Sequence, residues 1–332
     1  MTDDAPRVFI TRALPEAGTA LLRRELQSVR LDVYEGDCAI TRETLLARVR
    51  GCSAVLSMLT DAIDAETLDA AGPSLRIVAN YAVGYNNIDV DAATERGIAV
   101  TNTPDVLTDA TADLAWALLM AAARRIPESE RFLRAGRWTG WAPKQFLGSD
   151  LVGRTAGVFG MGRIGQAFAR RAKGFGMRVI YTQRNAAPPE VERELGAERV
   201  DKATLLAESD FLSLHCPLTD ETRHAFGAAE FRSMKRSAIV INTARGPVID
   251  EAALAEALRS GVIRAAGLDV YEEEPKVHPA LLTCENAVLV PHLGSATHAT
   301  RDRMAEMAAE SIVARLRGEV PRNCVNPEAC RK

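Results

Sequence analysis

Two periodicities alternate along this chain. Short runs of aliphatic and β-branched residues are separated by stretches whose apolar positions recur every three or four residues, the pattern of strands joined by amphipathic helices. The early runs are RVFIT from Arg7, VRLDVYE from Val29, AVLSML from Ala54, LRIVAN from Leu75 and IAVTN from Ile98. A second set follows at Ala156–Gly160, Arg178–Thr182, Phe211–His215, Ala238–Thr243, Ala265–Val270 and Ala287–Val290. Strand–helix alternation of this kind predicts α/β architecture with two doubly wound parallel sheets, the second of six strands. Between the sets, Asp109–Arg125 reads as a long apolar helix buried between the domains. The helix from Ala299 to Leu316 has no further strand to serve, so it is expected to return the chain to the first domain. The expected division is therefore residues 1–103 with 297–332 as a discontinuous, flavodoxin-like substrate domain, and 104–296 as a dinucleotide-binding domain.

Composition narrows the class. At 332 residues the chain is long for one core, and 47% hydrophobic with 26% charged residues is an ordinary globular mix. A net charge of -3 gives no reason to expect nucleic acid or an anionic membrane as partner. The acidic start MTDDAPRVFI runs into a strand, unlike a signal peptide, and the longest apolar run, Leu114–Ala123, is too short to span a bilayer. Six scattered cysteines without a C-x-x-C pair argue against a disulfide framework or a zinc site, and a reduced cytoplasmic setting is expected.

The chemistry begins where the second set opens. TAGVFGMGRIG, Thr155 to Gly165, breaks a strand into G-x-G-x-x-G, and QAFARRAKGFG continues it as a helix. Gly160 permits the tight turn, Gly162 lets backbone approach a pyrophosphate, and Gly165 lets the helix pack on the sheet. An anion there meets free N–H groups and the positive helix end. At the end of the next strand, Gln183-Arg184-Asn185 replaces the carboxylate expected of a site selective for NAD. A guanidinium without a carboxylate favours the 2′-phosphate of NADP, so NADPH is expected ahead of NADH; the alternative is that Arg184 is a solvated loop residue. Three more strand ends carry Arg245 (INTARG), Asp269 and Glu274 (GLDVYEEEP) and His292 (PHLGSAT). Singly each has an ordinary reading as surface ion pair, strand cap or core group. Following successive strands of one sheet, Arg, Glu and His can converge on one crevice.

These stretches, with NYAVGYNNID (Asn80–Asp89), PDVLTDATADLAWALLMAAARR (Pro104–Arg125) and HCPLTDETRH (His215–His224), resemble the D-isomer-specific 2-hydroxyacid dehydrogenases, and most closely their glyoxylate/hydroxypyruvate reductases. The resemblance implies reduction of a small 2-oxo acid, glyoxylate to glycolate and hydroxypyruvate to D-glycerate. It makes His292 the proton donor to the carbonyl oxygen, and Glu274 the partner that keeps the imidazole protonated before hydride arrives. Arg245 would hold the substrate carboxylate and carbonyl. Leu59 and the backbone of Val83 and Gly84 would complete the substrate site as the domains close. Around the cofactor, the resemblance implies Gly160, Gly162, Arg163, Ile164, Gly165, Gln183, Arg184, Asn185, Cys216, Pro217, Thr222, Thr243, Ala244, Asp269 and Gly294. Asp269 would bond the nicotinamide carboxamide, with a strand-end cap as the alternative.

His215 is expected to lie near the cofactor without acting as a catalyst, and His224, His278 and His298 to be surface or capping residues. Trp138 and Trp141, in RWTGWAP, fit either core packing or a homodimer loop in which Trp141 reaches the partner's substrate pocket. Relatives on the same fold define the alternatives. A phosphoglycerate dehydrogenase is disfavoured by the missing strand-end acid, and a formate dehydrogenase by Glu274 where Gln is the pattern. A D-lactate dehydrogenase shares the same triad. A nucleotide-sensing corepressor usually carries a long tail, whereas PRNCVNPEACRK is short.

Overall fold

Five strands form the first sheet: β1 (Arg7–Ile10), β2 (Arg30–Val33), β3 (Ala54–Ser57), β4 (Ile77–Asn80) and β5 (Ala99–Thr101). They pair in parallel in the order β2-β1-β3-β4-β5, the flavodoxin-like winding. Helices cover both faces, so β1, β3, β4 and β5 are almost wholly buried and read as continuous apolar runs, not alternating ones. The computed structural model describes residues 5–331; the acidic start at Met1–Asp4, weighed against a signal peptide, lies outside them. Among the described residues no helix is long and apolar enough to cross a membrane.

The second sheet has seven strands, one more than expected. They are β6 (Thr155–Phe159), β7 (Arg178–Thr182), β8 (Ala197–Arg199), β9 (Phe211–Leu214), β10 (Ile239–Asn242), β11 (Ala265–Leu268) and β12 (Ala287–Leu289). Their order is β12-β11-β10-β9-β6-β7-β8, all parallel, the dinucleotide-binding winding with an added edge. The extra strand β8 is three residues, Ala-Glu-Arg, at the sheet's edge; so short and polar a run carries no apolar signal. The order reverses between β6 and β9, and ligands of open sheets collect beyond the strand ends at such a point.

Helix starts follow their capping residues. Asp64, Asp89, Asp201 and Asp250 each accept the amide three residues on, satisfying an end donor. The helix Thr108–Ala123 packs on the helix Arg163–Gly174 and on β10 and β11, and Trp116 stacks on Phe168 and Phe175 while donating from Nε1 to the Phe168 carbonyl at 3.1 Å. The last long helix, His298–Leu316, packs on the helix Glu16–Glu25 and on β4. Gly18 lies at that contact, where a Cβ would sit 2.9 Å from Ala305.

The chain divides into two compact units, one running to Leu107 and resuming at Ala296, the other Thr108–Ser295. The first boundary falls four residues beyond Thr103 because Val106 and Leu107 pack into the first unit's core.

Candidate active site

The glycine turn is built by close packing. Gly160 has φ +99°, and a Cβ there would lie 2.9 Å from the carbonyl of His215 at the end of β9. A Cβ on Gly165 would stand 2.1 Å from the Gly160 oxygen, so only glycine lets this helix start against β6. Gly162, by contrast, faces nothing within 4 Å. It is the residue before the helix Arg163–Gly174, whose first amides, from Arg163, Ile164 and Gly165, lack intrahelical partners. The turn is tied to β7 from the other side: Gln183 Oε1 accepts the Met161 amide at 2.9 Å. Beyond it, Arg184 and Asn185 are exposed. One cation escaped the sequence reading here. Arg199, at the end of the unforeseen β8, donates to the carbonyls of Gln183 (3.2 Å) and Arg184 (2.9 Å), adding a second guanidinium to the same corner.

Further along the strand ends, Cys216 is buried and burial pushes its thiol up to about 11, so it is neutral. Thr222 Oγ1 donates to the Pro217 carbonyl at 2.7 Å and shapes the turn that follows. His215 packs against Phe168, half-buried, with Nε2 2.9 Å from Ser213 Oγ; loss of solvent around the ring lowers it to about 3, away from acid–base work near neutrality. His224 pairs with Glu272 at 3.0 Å, His278 accepts the Ala280 amide, and His298 opens a helix. Thr243, the residue after β10, has its hydroxyl buried without a hydrogen-bond partner among the described residues. An open glycine cradle at a helix start and an orphaned hydroxyl on a neighbouring strand end are what a bound dinucleotide would complete.

Asn242 shapes the turn carrying Ala244 and Arg245. Its Oδ1 accepts the Ala244 amide at 3.0 Å and its Nδ2 donates to the Arg245 carbonyl at 2.9 Å. Arg245 is drawn down by burial, which opposes a fixed charge, while the Glu274 carboxylate favours its cationic form. Glu274 lies 2.8 Å through Oε2 from His292 Nδ1, and its Oε1 accepts the Tyr271 amide at 3.1 Å. Since a carboxylate only accepts, Nδ1 carries the proton of this bond and Nε2 is the nitrogen left for other chemistry. Burial pushes the Glu274 carboxyl up, but the His292 bond and charge, the Tyr271 amide and Arg245 outweigh it and hold the group below the ordinary carboxylate range.

His292 has a left-handed backbone, φ +51°, uncommon for a residue with a side chain. Asp269 holds it there. The Asp269 carbonyl accepts the His292 amide at 2.9 Å, and its carboxylate accepts the amides of Leu293 (2.5 Å) and Gly294 (2.9 Å). Thr111 Oγ1 donates to the Gly294 carbonyl at 3.1 Å. These bonds are the strand-end alternative for Asp269, and they explain why β11 stops at Leu268; each carboxylate oxygen keeps one further lone pair.

Leu59, Val83 and Gly84 belong to the first unit, at the ends of β3 and β4. Asn80 Nδ2 donates to the Gly84 carbonyl (2.9 Å) and Asn102 Nδ2 to that of Val83 (2.7 Å). Asn87 Nδ2 bonds the Met58 and Asp61 carbonyls at 3.0 Å each, and buried Asp61 accepts Thr11 Oγ1 and the Met58 amide. This set of amides and one carboxylate was not foreseen; Asn80 and Asn87 stand in the NYAVGYNNID motif, but nothing in its pattern separates their task from that of their neighbours. The core-packing alternative for Trp138 and Trp141 does not hold: they are 55% and 82% exposed, in a stretch without helix or strand.

Comparison with known proteins agrees with this geometry. Residues 116–294 match the D-isomer specific 2-hydroxyacid dehydrogenase, NAD binding domain. The chain is 54% identical over 326 residues to a glyoxylate reductase of Korarchaeum cryptofilum, covering 97% of this chain and 96% of that one. A glyoxylate reductase from Paecilomyes thermophila has TM-score 0.85 at 37% identity, covering 97% and 98% of the two chains. An NADPH-dependent glyoxylate/hydroxypyruvate reductase of Sinorhizobium meliloti, solved with NADP and malonate, has TM-score 0.83 at 34% identity, covering 98% of each.

Proposed function

Since the chain belongs to the D-isomer specific 2-hydroxyacid dehydrogenase family, we propose that it reduces glyoxylate to glycolate and hydroxypyruvate to D-glycerate, with NADPH ahead of NADH. The observation that carries this reading is the Glu274–His292 pair at 2.8 Å, on strand ends of the same sheet as Arg245 and the glycine turn. The residues Gly160 to Gly165, Gln183, Arg184, Asn185, Cys216, Pro217, Thr222, Thr243, Ala244 and Gly294 would hold the dinucleotide. When bound, a reduced nicotinamide supplies hydride to the carbonyl carbon. Arg245 pairs with the substrate carboxylate and steadies the carbonyl; Leu59, Val83 and Gly84 are our further candidates for substrate binding. His292 gives a proton from Nε2 to the oxygen as charge builds on it, while Glu274 offsets the charge of the imidazolium.

The direct test follows nicotinamide absorbance with glyoxylate, hydroxypyruvate, pyruvate and 3-phosphohydroxypyruvate, each with both cofactors. Highest kcat/KM on the first two is expected; a clear preference for either of the others overturns the substrate assignment. Glu274→Gln should lower kcat roughly tenfold or more, because a neutral amide no longer offsets the positive charge of the imidazole that it holds through Nδ1. An unchanged kcat speaks against the pairing.

Cofactor choice rests on a corner with two guanidinium groups and no carboxylate among Gln183, Arg184 and Asn185. Arg184→Ala should weaken NADPH roughly ten- to thirtyfold, the scale of an exposed charge-assisted bond, with little change for NADH. If the wild type prefers NADH and the variant treats both cofactors alike, Arg184 is only a surface charge.

We also infer a homodimer. The stretch 126–152 leaves Ile126, Leu133, Trp138, Trp141, Leu147 and Val152 exposed, an apolar surface typical of interfaces. Light scattering should give twice the chain mass. A monomer at working concentration refutes the dimer and, with it, any reach of Trp141 to the partner's pocket.

A further inference from the structure

The segment after the last long helix brings two thiols together. Cys324 Sγ and Cys330 Sγ are 3.9 Å apart, while the other cysteines are either buried (Cys52, Cys216, Cys284) or far along the chain and exposed (Cys38). Both members of the pair are partly exposed, so a small reagent can reach them.

The backbone between them is held mainly by other residues, with Cys324 adding a weak thiol bond to Asn326 Oδ1 at 3.6 Å. The Val325 amide donates to the Val100 carbonyl at 2.8 Å, and Asn326 Oδ1 accepts the Val100 amide at 2.7 Å. Asn326 Nδ2 donates to Thr94 Oγ1 (2.8 Å) and the Ile98 carbonyl (3.0 Å), and Ala329 is fully buried. Bonds to β5 and the helix before it thus hold the segment in which the two sulfurs stand 3.9 Å apart, about twice the length of a disulfide bond.

We propose that Cys324 and Cys330 are a site of reversible two-electron oxidation, forming a disulfide that closes residues 324–330 into a loop and so clasps the conformation in which this segment bonds the edge of β5. The co-reactant is a low-molecular-weight disulfide. One cysteine thiolate attacks a sulfur of the reagent and expels one thiol. The second cysteine then attacks the resulting mixed disulfide, forms the Cys324–Cys330 bond and releases the second thiol. The protein loses two electrons and two protons, and the reagent gains both as two thiols. Burial pushes the Cys324 thiol up to about 11, so exchange near neutrality is slow and the pair suits a lasting clasp better than a fast sensor. The clasp bears on more than its own loop, because Asn323 donates to the Asn102 carbonyl, and Asn102 Nδ2 in turn holds the Val83 carbonyl at 2.7 Å.

The test uses the full chain, incubated with oxidised glutathione or with dithiothreitol at mildly alkaline pH. Peptide mapping after glutathione should find the peptide holding Cys324 and Cys330 lighter by two hydrogens, with the bond between them, whatever adduct exposed Cys38 carries. Amide exchange at Val100, Val325 and Asn326 should slow about tenfold or more in the oxidised form, since local opening of this segment must now keep a closed loop. Cys330→Ser should instead retain glutathione at Cys324. Two free thiols at these positions, or a stable glutathione adduct on either Cys324 or Cys330 of the unmodified chain, overturns the site. A bond that forms but leaves amide exchange unchanged overturns the clasp. None of these readings depends on the substrate assignment.

Discussion

His292→Ala should lower turnover by roughly two to four decades while the cofactor's Michaelis constant changes little. The asymmetry follows from where the side chain sits. His292 lies beyond β12 and is bonded through Nδ1 to Glu274, whereas the glycine turn lies beyond β6 and is fixed by contacts to β7 and β9. Alanine removes the proton donor and leaves the half-buried Glu274 carboxylate without its largest stabilising partner. Some loss of thermal stability should accompany the loss of rate, with a definite pH dependence. Glu274 is held below its ordinary value in the folded chain, so its contribution is present above that ordinary value and lost as pH falls through the lowered one. In the variant this acid-side dependence should shrink. Near-normal turnover in a folded His292→Ala protein would move the proton donor elsewhere.

What could be read from the sequence divides along physical lines. Strands buried on both faces announce themselves as apolar runs, and Gly160 and Gly165 of the turn are dictated by the clashes, at 2.9 and 2.1 Å, that any Cβ there would make. Arg245, Glu274 and His292 were found because each follows such a run. The edge strand β8 was invisible, being short, polar and exposed on one side, and Arg199 was lost with it. The asparagine set around Val83 and Gly84 was equally hidden, since a side chain bonding to distant backbone leaves no periodic trace. Gln183 shows a subtler gap. Strand-end position places it among the cofactor residues, yet its Oε1 also secures the Met161 amide. Gln183→Asp, the obvious charge swap against NADPH, would therefore disturb the glycine turn as well, and Arg184→Ala is the cleaner probe.

Asp269 offers the other large effect, and it separates two roles that position alone could not. If the carboxylate acts mainly on the loop of His292, Asp269→Ala strips the acceptors from the Leu293 and Gly294 amides. The buried Gly294 donor left unpaired costs about 1–3 kcal/mol and the part-buried Leu293 donor less, a cost that moving the left-handed turn at His292 would relieve. A displaced imidazole should lower kcat roughly a hundredfold, with cofactor affinity nearly unchanged. If the carboxylate instead serves chiefly as a contact for the nicotinamide, the loss should fall on the cofactor's Michaelis constant. The pH profile gives a second, independent readout. Burial raises Asp269 above the ordinary carboxylate range, against the pull of the Leu293 and Gly294 amides and of His292. Its protonation therefore favours the folded chain at low pH, and that contribution is lost as pH rises through the raised value; the ionised form that grips the loop is held at some expense of stability. As pH falls through that value the carboxylate loses its charge, its bonds to the two amides weaken, and kcat should drop on the acid side. Asp269→Asn, which keeps one acceptor and cannot titrate, should turn over slowly but without that acid limb. Persistence of the wild-type acid limb in this variant would show that another group titrates there, and would return Asp269 to the role of a simple strand cap.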